Sequence, residues 1–257
     1  MDASDAKLLS PQAVRLGIAP GAPPGTLHVR SHAARPVIEA IAYHGDDFVE
    51  KELSRPEEVV ELLQQWPVTW VNVVGLGDAE VIEQLGRIFG LHPLALEDVL
   101  HVHQRAKVEQ YGEQLFIVAR MPRQEEGLAT EQISLFVGQK FVLTFIEDEG
   151  DSFDPVRTRL RGGGRLREAG PGYLVYSLLD AVIDAYFPVV EAYAERLDRL
   201  EDRVITRPSR RAVAEIHSAK HNLRSLRRVI WPLREAVNSL VRDPSPLIDD
   251  ETRVHLR

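Results

Sequence analysis

Two periodicities alternate along the first two thirds of the chain. The short β-branched and aromatic runs Val37–Tyr43 (VIEAIAY) and Val68–Val74 (VTWVNVV) have the texture of strands. Between them Val59, Val60, Leu62, Leu63 and Trp66 keep helical spacing behind Ser54-Arg55-Pro56-Glu57. There serine suits a helix cap and glutamate suits the positive first turn. A second helix is predicted from Asp78, with Val81, Ile82, Leu85, Ile88 and Phe89 on one face and Gly90 as its stop. Strands follow at Leu115–Arg120, Ile133–Val137 and Phe141–Ile146, the last two joined by a turn at Gly138-Gln139-Lys140. Helices interleaved with strands, then consecutive strands, predict an α/β (α+β layered) domain over residues 31–165. The glycines at 162–164 mark its boundary.

Beyond Gly172 the pattern is helical throughout. A hairpin over 171–243 is expected, with one long helix at 173–205, a second at 209–242, and Arg207-Pro208-Ser209 at the corner. Pro188 should kink the first helix, because it lacks a backbone donor and crowds the preceding turn. Pro232 should bend the second in the same way. A final helix begins near Asp249, within 247–257, and runs to the end of the sequence. Residues 1–30, rich in Pro, Gly and Ala, read as a flexible lead-in. On the first long helix Asp180, Asp184, Glu191, Glu195, Asp198 and Asp202 share a face; on the second, His217, His221, Arg224 and Arg228 do. Complementary hairpin faces would account for both.

Charge and composition narrow the chemistry. A formal charge of −8 argues against non-specific nucleic-acid binding, which needs surplus Lys and Arg. The absence of cysteine excludes disulfides, thiolate zinc sites and cysteine nucleophiles. No secretory leader is visible, and the most apolar run, Tyr173–Ala194, is interrupted by Asp180, Asp184, Glu191 and Pro188. It therefore reads as a buried or intersubunit helix. The nucleotide, zinc-protease and serine-hydrolase signatures are missing, and Gly75-Leu76-Gly77 lacks the third glycine of a dinucleotide loop.

Two acidic pairs remain to be explained. Glu97 and Asp98 lie side by side among Leu94, Leu96, Val99 and Leu100 in HPLALEDVLHVHQ. On residue type alone a solvated helix edge accounts for them. His101, four residues from Glu97, offers a shared transition-ion site instead, while ligation by oxygen alone suits magnesium. Asp180 and Asp184 sit among Leu178, Leu179, Val182, Ile183, Tyr186 and Phe187. Buried carboxylates there need either the basic helix or a metal as partner.

The segments HPLALEDVLHVHQRAKVE (92–109), FDPVR (153–157), YLVYSLLDAVIDAYF (173–187) and IWPLRE (230–235) together resemble the cytosolic part of the CorA-type magnesium and cobalt transporters. The resemblance runs from about residue 35 to the end of the chain. It implies a homopentamer at the cytoplasmic face of the inner membrane. Each subunit would carry an αβα sandwich, a pair of long antiparallel helices and a stalk helix leading to membrane helices with a Gly-Met-Asn signature. That membrane part is not in this sequence, and Asp249–Arg257 would be the top of the stalk.

The resemblance also implies divalent ions, Mg²⁺ or Co²⁺, held between subunits by Glu97, Asp98 and Asp180, with Asp184 nearby. A further stalk acid would fall just beyond Arg257. Two departures stand out: His101 replaces a common asparagine and Ala106 a common proline. His101 widens the expected metal preference toward Co²⁺ or Zn²⁺. The alternatives are a zinc-transporting relative, a non-catalytic adaptor whose acids are merely solvated, and a metal-dependent hydrolase.

Overall fold

The computed structural model describes residues 23–123, 129–206 and 209–257. Seven strands form one sheet: β1 (Val37–His44), β2 (Asp47–Leu53), β3 (Val68–Val74), β4 (Lys107–Tyr111), β5 (Gln114–Pro122), β6 (Thr130–Val137) and β7 (Phe141–Ile146). Their order is β2-β1-β3-β7-β6-β5-β4, antiparallel except for the central β3–β7 pair. The predicted strands at 68–74 and 141–146 match within the residue, and the other three are extended by one to three residues at an end.

The sheet is apolar on both faces, so each face must be covered. Along β5, Leu115, Ile117, Ala119 and Met121 enter one core while Phe116 and Val118 enter the other. The second core is roofed by α1 (Val59–Gln65), α2 (Ala79–Phe89) and α3 (Pro93–Leu100). The first is roofed by α4 (Asp154–Gly162), α5 (Arg165–Glu168), α6 (Pro171–Asp184) and the end of α8 (Arg210–Arg242). The α/β layered reading holds, with the helices beyond the 162–164 glycines lying in the same core as those before them.

Local chemistry explains the boundaries. Asp78 caps α2 by accepting from the Glu80 and Val81 amides, and Gly90 ends it at φ 65°. Gly75 and Gly77 are close-approach glycines: the Gly77 amide donates to the Ala34 carbonyl at 2.6 Å, and a Cβ on Gly75 would stand 2.6 Å from the Arg35 oxygen. That packing, not a phosphate loop, accounts for the GLG. The FDPVR segment is an anchor. Phe153 is fully buried edge-on to Trp70, and Arg157 makes two 2.7 Å bonds to Asp151 while lying over the same indole.

The helical half keeps one expectation and overturns another. The first long helix breaks at Ala185, between α6 and α7 (Tyr186–Thr206), as the missing amide of Pro188 would cause. By contrast α8 continues through Pro232 without interruption. The corner residues 207–208 lie outside the described residues, and Ser209 caps α8 by accepting from the Ala212 amide. The hairpin faces do not pair acid helix to basic helix. Among the described residues, the ion pair joining α7 to α8 runs the other way, from Arg203 to Glu215. Most of the acids on that face are exposed. Of the lead-in, 1–22 lie outside the described residues, and 23–30 lie against the sandwich, with Leu27 and Val29 packed on the α1–α3 core. The run Pro171–Thr206 is long and apolar enough to cross a membrane, but half of its most apolar stretch is buried, α6 being a core helix.

One buried acid in this framework, Glu131, stands near both a cation and a second acid. It is 3% exposed on β6, and its carboxylate accepts a 3.3 Å bond from the Asp148 amide. Burial pushes its pKa up to about 7; Arg123 opposes the shift and Glu147 reinforces it.

Two stability predictions follow from this packing. Gly172 lies under the segment leading to α9 (Asp250–His255), and a Cβ there would collide with the Leu247 carbonyl oxygen. Gly172→Ala should cost about 1–3 kcal/mol in chemical denaturation, as overpacking against backbone does. Unchanged stability would show that the 247–248 segment yields freely. For Glu131 the folded state binds the extra proton between the unfolded carboxyl value, near 4.5, and about 7. Stability therefore falls as pH rises through that window. Glu131→Gln should raise the melting temperature above pH 7, by a gain of order 2 kcal/mol, and the gain should vanish near pH 4.5. A pH-independent difference between the two proteins would refute the assignment.

Candidate metal site

Helix α3 owes its position to a glycine. A Cβ on Gly86 would overlap the Leu96 side chain, so α2 admits α3 closely enough to bury Ala95, Leu96, Val99 and Leu100. Pro93 opens the helix at N1, and the His92 ring accepts the Leu94 amide while stacking on Tyr111 at 4.6 Å. With that face buried, Glu97 and Asp98 fall on the opposite, half-exposed side. The adjacency of the acids is therefore a consequence of amphipathic packing, and both remain reachable from solvent.

Their surroundings differ. Glu97 Oε2 accepts the Gly25 amide at 2.7 Å, and among the described residues it forms no ion pair. Asp98 is fully engaged: Lys107 Nζ lies 2.6 Å from Oδ2 and Gln104 Nε2 lies 2.8 Å from Oδ1. The same ammonium reaches Glu109 at 2.8 Å, and the Tyr111 hydroxyl donates to Glu109 at 3.1 Å. Burial works against the charge on Lys107, but its hydrogen bonds to Asp98 and Glu109 outweigh that and raise its pKa. His101 is the C-cap of α3, with ψ at 70°, so the helical four-residue spacing to Glu97 ends there.

Asp180 and Asp184 occupy the other side of the sheet, on α6. Asp180 is half-buried and Asp184 exposed. Among the described residues no ion pair meets either of them, so the basic helix is not their partner. Burial raises the Asp180 pKa, Asp184 adds to the shift, and Arg159 and His255 oppose it at a distance. Here a carboxylate pair carries charge that the described residues do not neutralise at contact range.

The structure thus places two acidic pairs in opposite layers and does not bring them together. Among the described residues no group of three or more acidic or histidine side chains is arranged to hold a metal ion. Sequence reasoning missed the Lys107, Gln104 and Gly25 contacts. Lys107 lies nine residues beyond Asp98, on an edge strand whose alternation of charge and apolar residues hides it from a search for apolar runs.

Helix α9 docks near this second pair. His255 packs against Tyr176 with its ring tilted, centroids 5.2 Å apart, and meets Tyr173 edge-on at 5.5 Å, and Arg165 bonds both His255 and Glu251. Helix α9 is therefore seated on α6, within two turns of Asp180.

Comparison with known proteins concerns the chain and its fold as a whole. Residues 67–257 match the family model described as CorA-like Mg²⁺ transporter protein. The chain is 41% identical over 248 residues to the cobalt/magnesium transport protein CorA of Thermotoga maritima, covering 95% of this chain and 71% of that protein. It is 33% identical over 167 residues to the putative metal ion transporter YfjQ of Bacillus subtilis, covering 65% of this chain and 51% of that one. Among solved structures, the soluble domain of CorA from Methanocaldococcus jannaschii superposes with a TM-score of 0.71 at 18% identity, over 85% of this chain and 84% of that one. The cytoplasmic domain of ZntB from Vibrio parahaemolyticus superposes at 0.65 with 12% identity, over 86% and 87%. The shared fold and the match along most of the chain make this protein a member of the CorA-like Mg²⁺ transporter family.

Proposed function

We propose that this chain is the cation-sensing, cytosolic part of a magnesium and cobalt transporter, and not an enzyme. On this reading Glu97, Asp98, Asp180 and Asp184 bind Mg²⁺ or Co²⁺ between neighbouring copies, and the bound ion favours the closed state of a membrane pore. The copies form a homopentamer on the cytoplasmic face of the membrane. The membrane is reached through helices following α9.

The observation that carries the reading is the state of Asp180 and Asp184. A half-buried carboxylate beside a second one, with no contact-range cation from its own chain, is stabilised by a cation from elsewhere. The two pairs lie in opposite layers, so one ion cannot bridge them within a single chain. A seam between two copies can bring the α3 side of one to the α6 side of the next. Across such a seam unscreened acids repel, and an ion replaces repulsion by attraction worth about 4 kcal/mol per close pair at an effective dielectric of ~20, before desolvation. The ion shifts the assembly only in so far as it binds one arrangement better than the other.

Oxygen-only ligands with retained waters suit Mg²⁺, which tolerates partial protein coordination. A zinc-transporting relative is the second reading. It is favoured by His101 and His103 beside the α3 acids, and by the fold shared with the ZntB domain.

Thermal melts with increasing Mg²⁺, Co²⁺, Zn²⁺ and Ca²⁺, with light scattering alongside, test the reading. The melting temperature should rise with Mg²⁺ or Co²⁺. Asp98→Ala and Asp180→Ala should each remove most of the rise, while raising stability without metal in the Asp180 case. A rise with Zn²⁺ alone would move the reading to the zinc relative. A rise that both variants retain in full would place the ion elsewhere.

A further inference from the structure

Among the described residues, Asp98 is the one member of the four candidate ligands that holds a full positive charge within its own chain. Lys107 Nζ stands 2.6 Å from Asp98 Oδ2 and 2.8 Å from Glu109 Oε2, so a single ammonium is shared between two carboxylates. It is not a solvated surface lysine. Its side chain is 27% exposed, with the ammonium 5.6 Å from the Phe116 ring centroid, and Asp98 is 22% exposed. Gln104 occupies the other Asp98 oxygen, and the Gln132 amide holds the Asp98 carbonyl at 2.8 Å. Helix end and ammonium are thus fixed relative to each other by three side chains from different elements.

Glu109 gives this lysine a second perch. Tyr111 donates to the Glu109 oxygen that Lys107 also reaches, which anchors that carboxylate independently of Asp98. An ion arriving at Asp98 would therefore meet an ammonium that can withdraw without becoming unpaired. The geometry differs at Glu97, which meets a neutral backbone amide, and at Asp180 and Asp184, which no cation among the described residues contacts.

We propose that Lys107 is a tethered counter-ion for Asp98 that competes with the divalent cation, and so sets the ion concentration at which the α3 acids fill. The proposal rests on the reading that Asp98 binds the ion, and it adds the group that tunes that binding. In the ion-free chain Lys107 suppresses the charge of Asp98. Ion binding transfers the ammonium wholly to Glu109. Because a divalent ion carries twice the charge on a smaller radius, it wins this competition only above a threshold concentration, and the tethered lysine fixes where that threshold lies. An untethered monovalent salt would only screen the site; a lysine fixed by strand pairing acts at every ionic strength.

The test uses the 257-residue chain with MgCl₂ as the probe. Melting temperature is followed against Mg²⁺ for the wild type, Lys107→Gln, Lys107→Arg and Asp98→Asn. Labelling of Lys107 by an amine-acetylating reagent is read by mass spectrometry with and without Mg²⁺. The expected result is that Lys107→Gln moves the Mg²⁺ midpoint to roughly tenfold lower concentration, equivalent to ~1.4 kcal/mol. Lys107→Arg should return it to the wild-type value, because the charge is kept. Labelling of Lys107 should quicken on adding Mg²⁺, and should already be quick without Mg²⁺ in Asp98→Asn.

A purely structural lysine would lower the melting temperature when replaced yet leave both the midpoint and the labelling response unmoved. That outcome overturns the proposal and leaves the site reading standing. A Mg²⁺ response that Asp98→Asn retains in full, or no response in any of the four proteins, overturns the site reading and the proposal with it.

Discussion

A sheet apolar on both faces is the constraint from which the rest of this molecule follows. Strands β3, β5, β6 and β7 send large side chains alternately into two cores, so neither face can be left to water. The chain meets this with α1–α3 on one side and α4–α6 with the end of α8 on the other. Helices that roof a core turn their polar faces outward, and the four candidate ligands lie on those outward faces. The separation of Glu97–Asp98 from Asp180–Asp184 by the full thickness of the sheet is thus a packing result before it is a functional one.

The two layers are nevertheless joined at one residue. Arg120 on β5 donates through its guanidinium to the Val102 carbonyl, just past α3, and to Thr130, while its own backbone carbonyl accepts the Tyr186 hydroxyl at the start of α7. The loop that ends α3 and the break between α6 and α7 are therefore tied to the same strand residue. A displacement of either acidic helix along the sheet strains a bond at Arg120. Gly86 beneath Leu96 and Gly172 beneath Leu247 add close packing at α3 and α9, so both acidic helices sit on contacts with little slack.

Much of this was readable from the sequence, and the omissions have a common cause. Strands β3 and β7 and helix α2 announce themselves through unbroken apolar runs or a clear cap and stop, because burial alone defines them. Strands β2 and β4 carry DFVEKEL and KVEQY, whose charges reflect edge positions with one neighbour and partial solvent exposure. No periodic apolar signal survives there. The site divides in the same way. The acids stand out as charges among apolar residues, whereas Lys107, Gln104 and Gly25 acquire their roles from pairing and loop placement. The hairpin charges misled because a shared face was taken for a contact face: the residues α7 and α8 bury include Tyr193, Leu200, Ala212 and Ala219, while most of the acids are turned to water.

The two acidic pairs also differ in what they would contribute to a seam. Asp98 is locally neutralised by Lys107, so in the absence of an ion its repulsion on a facing acid is muted. Asp180 and Asp184 have no such partner, and burial already raises the free energy of the charged Asp180. On the proposed reading the ion-free strain in an assembly therefore originates on the α6 side, while the threshold for relieving it is set on the α3 side. Because α9 is seated on Tyr173 and Tyr176, two and one helical turns from Asp180, relief of that strain acts where α9 docks. A single ion then needs no long relay to reach the element that continues toward the end of the chain, since the charge it satisfies and the helix it would bias share the surface of α6.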